Sequence, residues 1–517
     1  MQKFNLPNII SRLWLRSMQP AHGRFMHFCK KLEDVQAEKL SHYLNTNSNT
    51  TYGATFDFAG IKGHLAYASK VPIIEEFEQL RPYIDKIAAG EKNVLTKEEI
   101  VFFETTSGSS GKAKWIPYTS RLKGEFQAGL SVWMHELYKK NPAIFSGHQY
   151  WSISPAVKDR EVTSGGLRIG IQNDLEYLGR LEAWMMGKVM AIPPSISQIS
   201  EADEFFFHLS VALLAKEDLS FISIWSPTYM LKIQSFIREH LSEILSQLQC
   251  GNSRKTMIKR GFEEGNWSVV FPNLQLVSCW TDAQAALWQN DLKALLGNVP
   301  IEGKGLLSTE GIVTVPMASG MKALSYHSHF YEFRHQPGGE VFLAHQLERG
   351  KTYEVILTTG GGLYRYATSD LVTVSGFLGK VPCFIFEGRK NQTSDLVGEK
   401  LTSKHVMEMI QILKDKTGVK AMGLVPVRSE NGLGYQLLVV VETECIPSLQ
   451  QMAEAILSTN PYYAQAIKLG QLQNLQLFHL GEGGDLRLFQ YYCQKMVLKE
   501  GDAKLPLIFP VDFLDDF

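Results

Sequence analysis

Short apolar runs separated by helical stretches recur along most of this 517-residue chain. Residues 100–105, 114–117, 220–225, 274–279, 303–308, 340–344, 353–358 and 383–387 read as strands. Residues 72–89, a long stretch from Thr119 and much of 201–250 carry the apolar spacing of helices. Strands interleaved with helices cannot close as a sandwich of sheets; helices must cover the sheet faces. The pattern predicts a layered α/β core. A chain this long divides into roughly two or three domains.

One boundary is visible. Residues 388–400, GRKNQTSDLVGEK, are polar and lie between two apolar runs, as a linker does. Beyond it the order is helix 402–417, strand 422–427, strand 435–442, helix 447–458, strand 475–480 and helix 485–499. The expectation is a large N-terminal α/β domain, 1–388, followed by a smaller C-terminal α+β domain, 389–517.

Composition and motif gaps exclude several classes. The net charge is -1, with no dense Lys/Arg stripe among aromatics, so no nucleic-acid partner is expected. The 6 cysteines are dispersed without a CxxC pair. That points to a reducing, cytoplasmic setting and away from a disulfide frame or zinc site. Residues 1–30 are basic, and Ile9, Ile10, Leu13, Trp14 and Met18 are spaced as on an amphipathic helix docked on the domain. Asn8, Ser11, Arg12 and Arg16 interrupt any signal-peptide core. No run is apolar enough to span a bilayer. On a strand, His327 and His329 would share a face, but no third ligand accompanies them. No HExxH and no GxSxG elbow occurs.

The strongest local signal is Thr105-Thr106-Ser107-Gly108-Ser109-Ser110-Gly111-Lys112-Ala113-Lys114, between two predicted strands. Gly108 and Gly111 allow backbone N–H groups to approach an anion. Thr106, Ser107, Ser109 and Ser110 bring hydroxyl donors, and Lys114 brings a compact charge. This chemistry suits a nucleotide triphosphate. It is not a Walker loop, since Ala113 stands where that motif has its second glycine. Ser308-Thr309-Glu310 places a carboxylate after two hydroxyls, a Mg²⁺ ligand or a turn acid. Asp370, in Tyr364-Arg365-Tyr366-Ala367-Thr368-Ser369-Asp370, is a ribose acceptor or a turn residue. Trp225, Tyr229 and Trp280 are either an acyl-pocket lining or core.

Taken in order, these stations resemble the adenylate-forming superfamily of acyl-CoA synthetases, peptide-synthetase adenylation domains and luciferases. Thr106 to Lys114 matches its Ser/Thr-Ser/Thr-Gly-Ser/Thr-Thr-Gly-x-Pro-Lys loop except at Ser110 and Ala113. Ser308-Thr309-Glu310, Tyr366 to Asp370 and Gly388-Arg389 match its later stations. Phe330-Tyr331-Glu332-Phe333, Gly388-Arg389-Lys390-Asn391 with Gly398-Glu399-Lys400-Leu401, and Lys504-Leu505-Pro506 are similar to one branch. That branch is the plant auxin- and jasmonate-conjugating acyl-acid amido synthetases and their bacterial relatives. Ser369 replaces a glycine and lacks its freedom at positive φ, so a differently shaped turn beside Asp370 is expected. Ala503 replaces the glutamine that usually precedes the terminal lysine.

The resemblance implies ATP and Mg²⁺, a small carboxylic acid and an amine acceptor. A carboxylate attacks the α-phosphorus of ATP, and an amine then displaces AMP. The roles it implies are phosphate binding by Thr106, Ser107, Gly108, Ser109, Ser110, Gly111 and Lys114, with Ser308 and Thr309 at the nucleotide. Glu310 holds Mg²⁺, Asp370 the ribose, and Arg389 the ribose or phosphate. Lys504 arrives on the small domain, whose rotation separates the two half-reactions. Transfer to coenzyme A or a hydroxyl, and a non-catalytic nucleotide-binding protein, are the rival readings.

Overall fold

A computed structural model describes residues 6–517 except 107–113, 153–161, 171–179, 391–392, 430–431, 441–446, 497, 499, 502 and 516. Among these residues the chain is α/β. A seven-stranded sheet runs Thr314–Pro316, Lys322–Leu324, Val381–Arg389, Tyr366–Leu378, Thr352–Thr358, Phe330–His335 and Val341–Leu343 in spatial order, with antiparallel pairing throughout. A second sheet is parallel: His148–Trp151, Leu219–Ser223, Leu276–Cys279 and Ile301–Gly303. Its strand Leu219–Ser223 is buried at every position, as expected where helices cover both faces. A third sheet joins Lys114–Thr119, Ile100–Thr106 and Arg168–Ile169.

The N-terminal helix Leu6–Phe28 packs on the helix Ser120–Lys140 and buries Trp14, Leu15, Met18 and Phe25. Pro20 lies inside it. An interior proline costs about 3 kcal/mol, and each buried side chain of this kind returns roughly 1.5–3 kcal/mol, so the docked face outweighs the kink. No helix among the described residues is long and apolar enough to cross a membrane.

The expected helix over 72–89 is shorter. A 3-10 turn, Phe77–Leu80, leads into the helix Arg81–Ala88. The preceding residues are taken by the large sheet instead. The Ile74 N–H donates to the Arg365 carbonyl at 2.9 Å, and Ala367 N–H returns to the Ile74 carbonyl at 3.0 Å. Two sheet hydrogen bonds displace the first helical turn, and Gln79 Oε1 then caps the new start by accepting from Glu75 and Glu76 N–H. The run 303–308 divides between Ile301–Gly303 and Leu307–Ser308.

The C-terminal elements follow the expected order, with one more helix, Pro461–Lys468. Strands Lys420–Ser429, Gly432–Val440 and Gln476–His479 form a sheet on which the helix Ser403–Thr417 packs. Their apolar side chains make a core of their own from Leu401 to Phe513, joined by Leu287 and Trp288 from the preceding part of the chain.

Candidate active site

The long strand Tyr366–Leu378 alternates buried and less buried residues, the period-two signature of a strand with one face on the core. Its regularity breaks once. Ala367 pairs with Ile356 and Leu371 with Glu354, so Thr368, Ser369 and Asp370 face Val355 alone. Ser369 takes φ 65°, the left-handed region. The serine therefore adopts a conformation that glycine reaches more easily. Thr368 Oγ1 donates to the Val355 carbonyl at 3.0 Å, and Lys390 N–H to the Ser369 carbonyl at 2.8 Å. A bulge re-aims the side chains beside it. Here it turns Asp370 toward Arg389, its partner on the next strand. Arg389 Nε donates to Asp370 Oδ1 at 3.2 Å. Burial raises the Asp370 carboxyl above its ordinary range, against the lowering pull of Arg389 and Lys504. The nearby Asp370 charge raises the Arg389 guanidinium in turn.

Thr309 and Glu310 form the turn between Leu307–Ser308 and Gly311–Ile312, directly after Ser308. The Tyr118 hydroxyl donates to the Thr309 carbonyl at 2.7 Å. On the other side Ile312 N–H donates to His329 Nε2 at 3.0 Å, which places the proton on Nδ1, 3.0 Å from Glu125 Oε2. Glu125 Oε2 also accepts from Gly360 N–H at 2.9 Å. A buried His–Glu pair thus clamps the Glu310 turn to the loop that leads into Tyr366. Glu310 itself is buried.

Tyr366 stands among these groups. Lys114 Nζ donates to its hydroxyl at 3.1 Å. Burial raises that phenol, with Glu310 and Asp370 adding to the effect and Arg389 opposing it. Lys504 reaches the same place from the C-terminal elements. Its Nζ lies 3.9 Å from the Trp280 ring centre. The side chain is open to solvent on one side, yet enclosure in the cleft pushes its ammonium down to about 8, while Asp370, Glu310 and Asp282 pull it up and Arg389 down.

Lys114, Glu310, Asp370, Arg389 and Lys504 therefore converge around Tyr366, and Ser308 and Thr309 sit on the Glu310 turn. Thr106 is the last residue of the strand Ile100–Thr106. Ser107, Gly108, Ser109, Ser110 and Gly111 lie outside the described residues. Tyr229 is core, packed on Phe206 at 5.9 Å between ring centres. His327 and His329 precede the strand Phe330–His335 and do not pair on it. Among the described residues no group of three or more His, Cys, Asp or Glu forms a metal cage. Tyr366 is a site residue that the chemistry of the stretch Tyr364 to Asp370 does not mark in sequence. Glu125 is another, 204 residues from the histidine it orients. A larger hollow of about 240 Å³, lined by Arg428, Tyr435, Gln473 and Asp512, carries none of these groups.

A large α/β body with a smaller α+β unit contributing a lysine to a carboxylate–arginine cleft is the architecture of an adenylate-forming enzyme. The sequence matches the GH3 family N-terminal domain over residues 21–264 and the GH3 family central domain over residues 322–389, together more than half of the chain. The chain belongs to the GH3 family, the acyl-acid amido synthetase branch of the adenylate-forming enzymes. It is 24% identical to an indole-3-acetic acid-amido synthetase, GH3.2, of Arabidopsis thaliana, covering 73% of this chain and 78% of that protein. It is 23% identical to a jasmonoyl–L-amino acid synthetase, GH3.5, of Oryza sativa subsp. japonica, covering 73% and 74%. The fold superposes on the AtGH3.15 acyl acid amido synthetase in complex with 2,4-DB. The TM-score is 0.85 at 17% identity, over 96% of this chain and 95% of that one.

Proposed function

We propose that this chain activates a carboxylic acid with ATP as acyl-AMP and passes the acyl group to an amine, an amino acid being the acceptor class. The observation that carries the reading is the convergence of Glu310, Asp370, Arg389 and Lys504, from four separate parts of the sequence, on one cleft. The names of the relatives, which couple acids to amino acids, support it.

In the first half-reaction a carboxylate oxygen of the acid bonds to the α-phosphorus. The bridging P–O bond breaks and pyrophosphate leaves. Negative charge grows on the phosphate oxygens and is met by oriented donors. Lys114 and the loop from Thr106 to Gly111 take the phosphates. Asp370 accepts from the ribose hydroxyls, held in place by Arg389. Lys504 stabilises the reacting carboxylate and the α-phosphate. In the second half-reaction the amine nitrogen attacks the acyl carbon, the C–O bond to AMP breaks, and the amine loses a proton.

Mg²⁺ belongs to this reading, with Glu310 as its protein ligand. A single buried carboxylate on a turn with two hydroxyls fits an ion that keeps waters and shares substrate phosphates. When bound, the ion neutralises charge on the phosphate oxygens.

Residues 389–517 are proposed to move as a unit about Arg389. Support comes from a core mostly their own, which Leu287 and Trp288 join from the preceding part of the chain, and from polar links beside it: Lys420 to Asp291 at 2.8 Å, and Lys232 to Glu500. Polar interfaces of this kind permit domain motion. Cytoplasmic residence is part of the reading, supported by the free cysteines Cys29, Cys250, Cys279, Cys383 and Cys493.

The test is ATP–pyrophosphate exchange over a library of acids, followed by mass analysis with amino acids or coenzyme A. Acid-dependent exchange and an amide product are expected. A thioester product replaces the acceptor class. ATP binding without exchange for any acid leaves a non-catalytic nucleotide-binding protein.

A further inference from the structure

The four parallel strands His148–Trp151, Leu219–Ser223, Leu276–Cys279 and Ile301–Gly303 end at one edge. In open parallel sheets ligands bind outside the carboxyl ends of the strands. Ser223, Trp280 and Lys304 stand at or just beyond these ends, and Trp225 follows Ser223 by two residues.

Lys304 is only 4% exposed. Its Nζ donates to Ser223 Oγ at 2.7 Å and lies 4.6 Å from the Trp133 ring centre and 5.0 Å from that of Trp225. The Trp225 and Trp280 ring centres are 5.7 Å apart, and the Lys504 ammonium lies 3.9 Å from the Trp280 ring centre. Two indoles in contact therefore lie between two cations, in the order Lys504, Trp280, Trp225, Lys304. Lys304 and Lys504 line the same cleft. One end of this series belongs to the adenylation cluster. The other is a buried ammonium that none of the roles assigned above employs.

An ammonium held between two indole faces at a sheet's carboxyl edge is a receptor for an anionic oxygen. Trp280 lines the cleft shared by the two lysines as a flat apolar wall, with Trp225 packed against it. We propose that the acid activated here is a diacid. Its reacting carboxylate lies at the Lys504 end, its second carboxylate is received by Lys304 and Ser223, and its body lies along Trp280. The inference rests on the proposed acid-activating function and names the substrate class of that same site.

The test is calorimetric titration of the full chain with matched acids: benzoate against benzene-1,4-dicarboxylate, phenylacetate against 4-carboxyphenylacetate, hexanoate against adipate. In at least one pair the diacid is expected to bind tenfold tighter or more. Lys304→Met should bring the two members of that pair to within about twofold, with ATP affinity and melting temperature kept. Lys304→Arg should retain part of the preference. Equal binding within every pair by the wild-type chain overturns the proposal, and so does a preference that survives Lys304→Met. Should Lys304→Met fail to fold, Ser223→Ala decides, with a preference reduced severalfold expected and an unchanged one overturning it. Pyrophosphate release by the wild-type chain is read in parallel. Its absence with every acid sinks the acid-activating function, whereas the pairwise affinities test Lys304 whether or not turnover occurs.

Discussion

Asp370 and Arg389 face each other across two antiparallel strands, and the Arg389 guanidinium donates to the Asp370 carboxylate at 3.2 Å. The aspartate is buried and the arginine is 41% exposed at its side chain, so the pair joins the sheet interior to the mouth of the cleft. Asp370→Asn removes the charge proposed to accept the ribose hydroxyls but keeps the shape. Hydrogen bonds to a charged group are worth about 1.5–3 kcal/mol, so ATP affinity should fall roughly tenfold to a hundredfold. Burial already disfavours this carboxylate, so the melting temperature should hold or rise slightly. Calorimetry beside a thermal melt checks both, and unchanged ATP affinity would remove Asp370 from the ribose role.

Ser369 tests whether the bulge is needed for its shape alone. A non-glycine residue in the left-handed region costs about 1–2 kcal/mol, and glycine gives back roughly 0.5–1 kcal/mol through unfolded-chain entropy. Ser369→Gly should therefore stabilise the chain by up to about 1 kcal/mol and leave exchange within twofold. The check is the urea midpoint at constant slope. A destabilised variant would mean that contacts of the serine side chain outweigh the backbone strain.

The Lys114 ammonium donates to the Tyr366 hydroxyl at 3.1 Å, and both are proposed to face the phosphates. Lys114→Ala should lower pyrophosphate exchange by about a hundredfold or more, the usual scale for losing one preorganised donor to developing charge. Tyr366→Phe keeps the ring and loses only the hydroxyl, so its loss should be smaller, about tenfold. Equal losses in the two variants would mean that Lys114 acts only through the phenol.

Glu310→Gln should abolish most Mg²⁺-dependent turnover, since the amide keeps the shape without the charge. Titrating Mg²⁺ should recover part of the rate at high concentration. A variant fully active at low Mg²⁺ removes Glu310 from metal binding.

The sequence made Asp370, Arg389 and Glu310 legible because each sits in a local phrase with its own turn chemistry. Alternating strands and helices likewise announced the α/β class. Partners set by distant residues were not legible. Ile74 leaves its helix because the backbone around Arg365 offers it two hydrogen bonds across nearly three hundred positions. Glu125 orients His329 from the helix Ser120–Lys140, and nothing near either residue in sequence marks the pair. The helix Pro461–Lys468 was missed, although Asn460 caps it by accepting from the Tyr462 and Tyr463 N–H groups. That asparagine followed by proline is a start signal. Lys304 went unremarked because the indoles around it come from a helix and a loop far away in sequence.

Lys504 carries the last prediction. Its ammonium is pushed down to about 8 by enclosure, with Arg389 adding to the fall and Asp370 and Glu310 opposing it. A lysine whose pKa is lower in the closed form than in solvent binds its proton more weakly there. Between about pH 8 and its ordinary value near 10.4, raising the pH favours the enclosed state, and below about 8 protonation favours opening. The role proposed for Lys504 needs the charged form at the reacting carboxylate, so kcat/KM for exchange should fall as pH rises through about 8. Bound phosphate stabilises the ammonium, so the same limb in kcat should lie higher. Lys504→Arg should move the alkaline limb beyond the range of the assay, because a guanidinium stays charged. Lys504→Ala should slow acyl-AMP formation while ATP still binds the large domain. Exchange rates across pH 6–10 on the three proteins, with nucleotide affinity by calorimetry, make the comparison. Were the Lys504→Arg profile to keep a limb near 8, another group would be titrating. Equal loss of affinity and rate in Lys504→Ala would make the lysine a ground-state ATP contact, and no loss of either would leave domain closure dependent on a different residue.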